Sequence, residues 1–469
     1  MKFNQDFRFE KLNTPIVAIL VFIISTGMFL FLRNDGTGQG FFILFGIAIS
    51  FYSYRNINTL NWEQISKGIL IGFASLMFLL LVYHTIRAAT SNEQWDFMCF
   101  YMQGLLGVHK LDFYDPNSFN ILFHKIDFPY TYDNEFKVEI IDVGFLSPPI
   151  TMLIYAPLAL LNYHTSKTIF SLLIFVFIIA NAVTANIVFV KKERSIYSFL
   201  LFFIIIILLP GTNLTIEYCQ TNFFILFFLL LVLQNINKPI SGLYLALSLI
   251  IKPITGILIL FFIFNKNWKS VLYFGATGIV LLLITGTIWG FHNITGFFLS
   301  PPTNRLPQYL YEQDINQSLI SFFNRNLKIY GLSQNIVNIS YYLVAGILVW
   351  VTYSASKKLY KANVYLSFFP YLLCMLMIYP SSLSHYMVLL SPLLIYFLTL
   401  KIDTKYFWIL LLPALSFART GVFFTYFILW SILIYIGISN LMTIRTEDIE
   451  LNEEDLSKII NNGNQLENV

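Results

Sequence analysis

From Thr168 to Val190 the chain carries no charged residue, and the run ends on Lys191-Lys192-Glu193-Arg194. A helix crosses the hydrocarbon of a bilayer in about 20 residues at 1.5 Å rise each, so this run has spanning length. Similar apolar runs recur along the chain, separated by short polar or charged stretches. Of the 469 residues 57% are hydrophobic and 12% charged, with 48 Phe and 28 Tyr. Water-soluble domains carry about 25% charged residues and could not hide so much apolar side chain. The runs also lack the roughly ten-residue alternation of an outer-membrane barrel. The sequence therefore predicts an all-α, polytopic transmembrane protein with about 12–14 membrane-spanning helices.

The expected spans are Pro15–Leu32, Phe41–Tyr54, Gly68–Ile86, Thr168–Val190, Ser198–Leu209, Phe223–Leu233, Val271–Trp289, Ile336–Tyr353, Val364–Tyr379 and Met387–Leu400. Two more fall at 406–417 and 422–440. Leu243–Ile251 and Ile254–Phe264 read as a hairpin of short helices with Lys252-Pro253 at its tip, where proline opens the backbone. Ile150–Leu161 is short and broken by Pro157, which suits a re-entrant or in-plane helix. The basic cluster after Val190 marks a cytoplasmic end, whereas residues 89–148 hold nine acidic residues against three lysines and belong outside. This topology puts both termini in the cytoplasm and two loops, 88–148 and 291–333, on the outer face of the cell membrane. Thr212–Asn222 reads as a short outer loop. Residues 1–445 then form a single transmembrane domain, followed by a polar, disordered cytoplasmic tail at 446–469. Met1–Glu10 is polar and lacks a secretory signal, so the first span is expected to stay in the protein. The three cysteines, Cys99, Cys219 and Cys374, show no metal-ligand spacing and argue against a disulfide framework.

Four polar sites lie on the outer side of this topology: Asp96, the Glu217/Gln220/Asn222 group, Lys252, and Asn316/Gln317 with His385. Asp96 follows a span and precedes Phe97, Phe100, Tyr101, Gly104 and Leu105 at helical spacing. Two readings stay open for it: a helix N-cap, or a general base, since a carboxylate beside an incoming hydroxyl can take its proton. Lys252 interrupts an apolar run of more than 20 residues, which suggests a phosphate ligand or a side chain snorkelling to the interface. His385 reads as structural or as a group that donates to, or carries charge beside, a phosphate. Glu217, Gln220 and Asn222 read as sugar-hydroxyl ligands or helix caps. Trp95 and Tyr101 are the aromatic residues suited to stacking on a sugar ring. No phosphate-cradling glycine loop, metal-spaced His/Cys cluster or nucleophile elbow is present.

Taken in order, these stretches resemble glycosyltransferase family 87. Trp95-Asp96-Phe97 to Tyr101 with Tyr114-Asp115-Pro116 resembles its first-loop signature, and Ser147-Pro148-Pro149 with Ala156-Pro157-Leu158 its proline-rich element. Cys219-Gln220-Thr221-Asn222 is similar to its Gly-Gln-x-Asn segment, with Cys219 where glycine is usual. Leu249-Ile250-Ile251-Lys252-Pro253, Asn316-Gln317-Ser318 and His385 resemble later motifs. The resemblance implies a GT-C-like fold and an inverting mannosyltransferase that uses a polyprenyl-phosphate-sugar donor and a lipid- or glycan-linked acceptor. It implies Asp96 as base, Lys252 and His385 on the donor phosphate, and Trp95, Tyr101, Glu217, Gln220, Asn222, Asn316 and Gln317 around the substrates. It implies no metal or other cofactor and no nucleic-acid partner. Three rivals remain: a transporter or flippase of lipid-linked sugars, a polymerase or ligase of lipid-linked glycans, and a non-catalytic member of an envelope-assembly complex.

Overall fold

The computed structural model describes residues 62–91, 95–115, 117–118, 121–122, 147–190, 194–299, 311–313, 315–399 and 422–438. In chain order the helices are α1 (Trp62–Thr90), α2 (Trp95–Val108), α3 (Met152–Ala159), α4 (Tyr163–Phe189), α5 (Ile196–Leu208), α6 (Pro210–Glu217), α7 (Asn222–Gln234) and α8 (Ile240–Ile251). They continue as α9 (Ile259–Phe264), α10 (Trp268–Trp289), α11 (Phe291–Leu299), α12 (Leu319–Leu327), α13 (Gln334–Ala362), α14 (Val364–Ile378), α15 (Ser391–Thr399) and α16 (Val422–Ile438). Among the described residues there is no strand, and Asn316 and Leu383 form an isolated antiparallel bridge. The fold is all-α and polytopic, as the apolar runs predict.

Among the described residues four helices, α1, α4, α10 and α13, are long and apolar enough to cross a membrane, or five spans if the bent pair α5–α6 counts as one. The pair bends by 71°, and Pro210 at the break explains why: it has no N–H to continue α5 but suits the first position of α6. Thr212–Asn222 is therefore not a loop. Most of it is α6, because proline starts a helix as readily as it stops one. Ile150–Leu161 becomes a 3-10 turn, Pro149–Thr151, running into α3 with Pro157 inside it. The expected spans Pro15–Leu32, Phe41–Tyr54 and 406–417 and the tail 446–469 lie outside the described residues.

Polar side chains fix several helix starts. Asn162 caps α4 by accepting from the Thr165 amide (2.9 Å), Ser195 and Ser198 form a capping box on α5, and Asn363 accepts from the Tyr365 and Leu366 amides on α14. On α10 Leu272 is 69% exposed and Ile279 60%. Such an apolar surface is stable in hydrocarbon and not in water.

The chain divides into two compact units, neither of them continuous in sequence. Unit 1 is Met1–His109, Ile154–Leu230 and Met387–Ile402. Within it α1, α4 and α5 pack on one another and α15 packs on α4 and α5. Unit 2 is Lys110–Leu153, Leu231–Tyr386 and Asp403–Val469, with α8 against α10 and with α13, α14 and α16 packed on one another. Gly242 sets the α8–α10 approach: a Cβ there would lie 1.8 Å from the Ser270 carbonyl oxygen. Beside it the Ser241 and Ser270 hydroxyls are 3.0 Å apart, the small-residue contact common between membrane helices.

Candidate functional site

In unit 1, Asp96 is the second residue of α2, inside its first turn. An N-cap stands before the helix, so Asp96 is not one, although a carboxylate in the first turn still gains from the helix's positive end. Its half-buried side chain reaches off the helix, and Oδ2 accepts a hydrogen bond from Gln220 Nε2, 124 positions later. Aromatic packing holds the helix. Phe97 lies between Tyr163 (5.7 Å between ring centroids) and Phe170 (5.3 Å), and Phe100 stacks on Tyr155 at 4.8 Å. Gly104 rests against the Tyr155 carbonyl, where a Cβ would come within 2.3 Å of the oxygen.

Gln220 owes its position to the way α6 ends. The Cys219 amide donates to the Ile216 carbonyl (3.1 Å) and the Gln220 amide to the Thr215 carbonyl (2.8 Å). This is a Schellman closure with Cys219 left-handed at φ 49°. The closure explains why glycine would suit position 219, since a Cβ is disfavoured in that conformation. The Cys219 thiol is buried, 3.3 Å from the Ser171 hydroxyl. Burial pushes its pKa up to about 11, against the opposing influence of Ser171 and Lys167. All three cysteines are free thiols. Asn222 is fully buried and its amide donates to the Thr215 hydroxyl at 3.0 Å, bracing the same turn. Glu217 is exposed at the end of α6, within electrostatic range of His84 on α1. Tyr101 is buried. Its hydroxyl donates to the Leu161 carbonyl (2.7 Å) and its ring meets Tyr163 edge-on. Trp95 opens α2, and its side chain lies outside the described residues.

In unit 2, α8 stops at Ile251 because Pro253 forces the preceding Lys252 into extended backbone (φ −150°, ψ 137°). The half-buried Lys252 ammonium lies 4.7 Å from the centroid of the Tyr386 ring, a cation–π contact. His385 follows in the 3-10 turn Ser384–Leu390, its ring 4.7 Å from that of Tyr386. Burial first, and the Lys252 cation second, hold the His385 pKa well below its ordinary value. The imidazole is therefore neutral near pH 7 and serves as a hydrogen-bonding group rather than a charge.

Main-chain bonds lock the turn that carries His385. The Ser384 amide donates to the Ile315 carbonyl (2.8 Å) and the Gln317 amide to the Ser382 carbonyl (2.7 Å). Asn316 Nδ2 and the Ser318 hydroxyl both donate to the Pro380 carbonyl, at 3.0 and 2.9 Å. Gln317 Oε1 accepts from the Phe423 amide in the first turn of α16 (3.0 Å). Arg325 Nη1 donates to the Gln313 and Asn316 carbonyls, both at 2.8 Å. Asn316 and Gln317 are fully buried and their amides bind protein groups.

The structure thus brings Asp96 and Gln220 together in unit 1, and Lys252 and His385 together in unit 2. Sequence reasoning missed Arg325, whose polar surroundings gave no sign of a clamp. It also missed Lys167, because a lysine at the edge of a span is ordinary. Among the described residues no three His, Cys, Asp or Glu side chains come together as metal ligands would. The family model described as glycosyltransferase family 87 matches residues 145–392. That stretch includes Gln220, Lys252, Asn316, Gln317 and His385, and begins after Asp96. No curated protein and no solved structure matches the chain.

Proposed function

The chain belongs to glycosyltransferase family 87 and is a membrane glycosyltransferase, and from that premise we propose that it transfers a hexose, by resemblance mannose, from a polyprenyl-phosphate donor to a lipid- or glycan-linked hydroxyl. The reaction is a single displacement at the anomeric carbon. Asp96 removes the proton of the acceptor hydroxyl, the oxygen attacks the sugar, polyprenyl phosphate leaves, and the anomeric configuration inverts. Lys252 supplies positive charge to the leaving phosphate and neutral His385 a hydrogen bond. A donor with one phosphate calls for no metal in this scheme. Trp95 and Glu217 remain the proposed substrate ligands of unit 1. Gln220 orients the base, and Tyr101, Asn222, Asn316 and Gln317 act through the protein groups they bind. The positive-inside distribution supports chemistry on the extracytoplasmic face of the cell membrane and cytoplasmic termini.

The observation that carries the assignment of Asp96 is its hydrogen bond with Gln220. It ties a carboxylate that precedes the matched stretch to a residue within it. A lipid-linked donor is further supported by α8. The helix that ends at Lys252 forms, with α10, an open apolar surface groove lined by Leu243, Leu247, Tyr273 and Ala276, suited to lie along an isoprenoid chain.

The test uses purified protein, polyprenyl-phosphate mannose and a panel of membrane glycolipid acceptors. Asp96→Asn keeps size and removes the base, so turnover falls by roughly 10²- to 10⁴-fold while donor binding persists. Transfer at the wild-type rate by this variant overturns the role of Asp96.

A further inference from the structure

We propose that Lys167, on α4, is a positioning residue for the Asp96 carboxylate; the idea rests on the reading of Asp96 as base. Lys167 is fully buried. Its Nζ donates to the Ser91 carbonyl and stands 5.6 Å from the centroid of the Tyr163 ring. Among the described residues no carboxylate pairs with it; the ion pair there joins Lys328 to Glu312. An ammonium held in such a place is costly unless the fold uses it.

The use follows from what surrounds it. Tyr163, Lys167, Phe170 and Ser171 are spaced i, i+4, i+7 and i+8, which is one stripe of a helix. Each member touches a residue close in sequence to Asp96 or Gln220. Tyr163 and Phe170 enclose Phe97, the neighbour of Asp96. Ser171 meets the thiol of Cys219, the neighbour of Gln220. Lys167 binds Ser91, which ends α1 through its own amide bond to the Arg87 carbonyl (2.8 Å), a few residues before Asp96. A cation at a helix C-terminus satisfies its carbonyl end, and here it holds Ser91, the residue that follows α1. One stripe of α4 therefore sets donor and carboxylate against each other, and Lys167 is its charged member. The residue touches no reacting atom and acts through the backbone that carries Asp96.

The experiment uses the full chain in lipid nanodiscs with polyprenyl-phosphate mannose as donor. Lys167→Met and Lys167→Arg are compared by steady-state transfer, melting, and amide hydrogen exchange in the first turn of α2. Expected for Lys167→Met is a kcat lower by about 10-fold or more, since small misplacements of a reacting group are costly. Its donor KM stays within about 2-fold, and exchange in that turn quickens. Lys167→Arg keeps a donor for the Ser91 carbonyl and restores most of kcat. Wild-type kcat and exchange in Lys167→Met overturn the proposal. So does a general loss of melting temperature that Lys167→Arg does not reverse, which marks a purely structural cation. If Lys167→Met does not fold, Lys167→Gln, neutral but still a donor, is read by the same criteria. If the wild-type protein shows no transfer, the donor assignment fails and exchange alone decides on Lys167: quickening confined to α2 and reversed by Lys167→Arg supports it, and unchanged or general quickening overturns it.

Discussion

The two units hold their functional groups by different means. In unit 1 the Asp96 carboxylate is placed by side chains: an amide donor, an aromatic clamp and a stripe of α4. In unit 2 the His385 turn is tied by two main-chain bonds, the Ser384 amide to the Ile315 carbonyl and the Gln317 amide to the Ser382 carbonyl, and the Asn316 and Ser318 side chains reinforce them on the Pro380 carbonyl. A side-chain grip can be altered one contact at a time while the helices survive. A backbone lock fails together with the fold around it. Substitutions in unit 1 should therefore register first in rate, and those in unit 2 first in stability.

Removing one glutamine from each unit is the sharpest way to break this contrast. Gln220→Ala takes away the donor that orients the Asp96 carboxylate and lowers kcat by roughly 10- to 100-fold, a larger effect than its loss of melting temperature. Gln317→Ala leaves the Phe423 amide without its acceptor at the start of α16 and costs about 1–3 kcal/mol of stability, read as a lower melting temperature in detergent. A large melting loss for Gln220→Ala with no rate effect would invert the comparison.

Acidity probes unit 2 next. The folded His385 pKa lies below the ordinary 6.5, so between the two values the unfolded chain binds the extra proton. Stability from this residue is full above about pH 6.5 and declines as pH falls below it. His385→Gln should show a shallower loss of melting temperature over that range than the wild type. Equal slopes would mean that the imidazole is not held neutral.

The smallest effect belongs to Cys219→Gly. Relief of the left-handed backbone, about 1–2 kcal/mol, offsets the lost burial of the thiol, about 1 kcal/mol. The melting temperature should therefore move little, with a net change under about 1 kcal/mol. A loss of several kcal/mol would show that the Ser171 contact, and not the Schellman closure, secures the turn under Gln220.

Much of this was legible in the sequence. The charge-free run after Thr168 became α4, the Val271–Trp289 run became α10, and the break at Lys252-Pro253 appeared where proline demanded it. Gln220, Lys252 and His385 stood out because polar groups amid apolar runs are rare. Thr212–Asn222 misled because Pro210 reads equally as a stop and as a first helical residue. The Pro380 carbonyl on Asn316 and the Phe423 amide on Gln317 were not legible, because an amide written in a sequence does not say which carbonyl or N–H will engage it.

By itself the sequence determined that this chain is helical and membrane-embedded, and it supplied the ordered motifs of its family. Hydrophobic period and length suffice for that, since they act within a single run of residues. Only the tertiary structure decided that Asp96 meets Gln220 across 124 positions, that a left-handed cysteine presents that glutamine, and that Lys167 lies buried beside Ser91. Those pairings come from helix ends closing and helix stripes packing, and periodicity names a face of a helix without naming its partner.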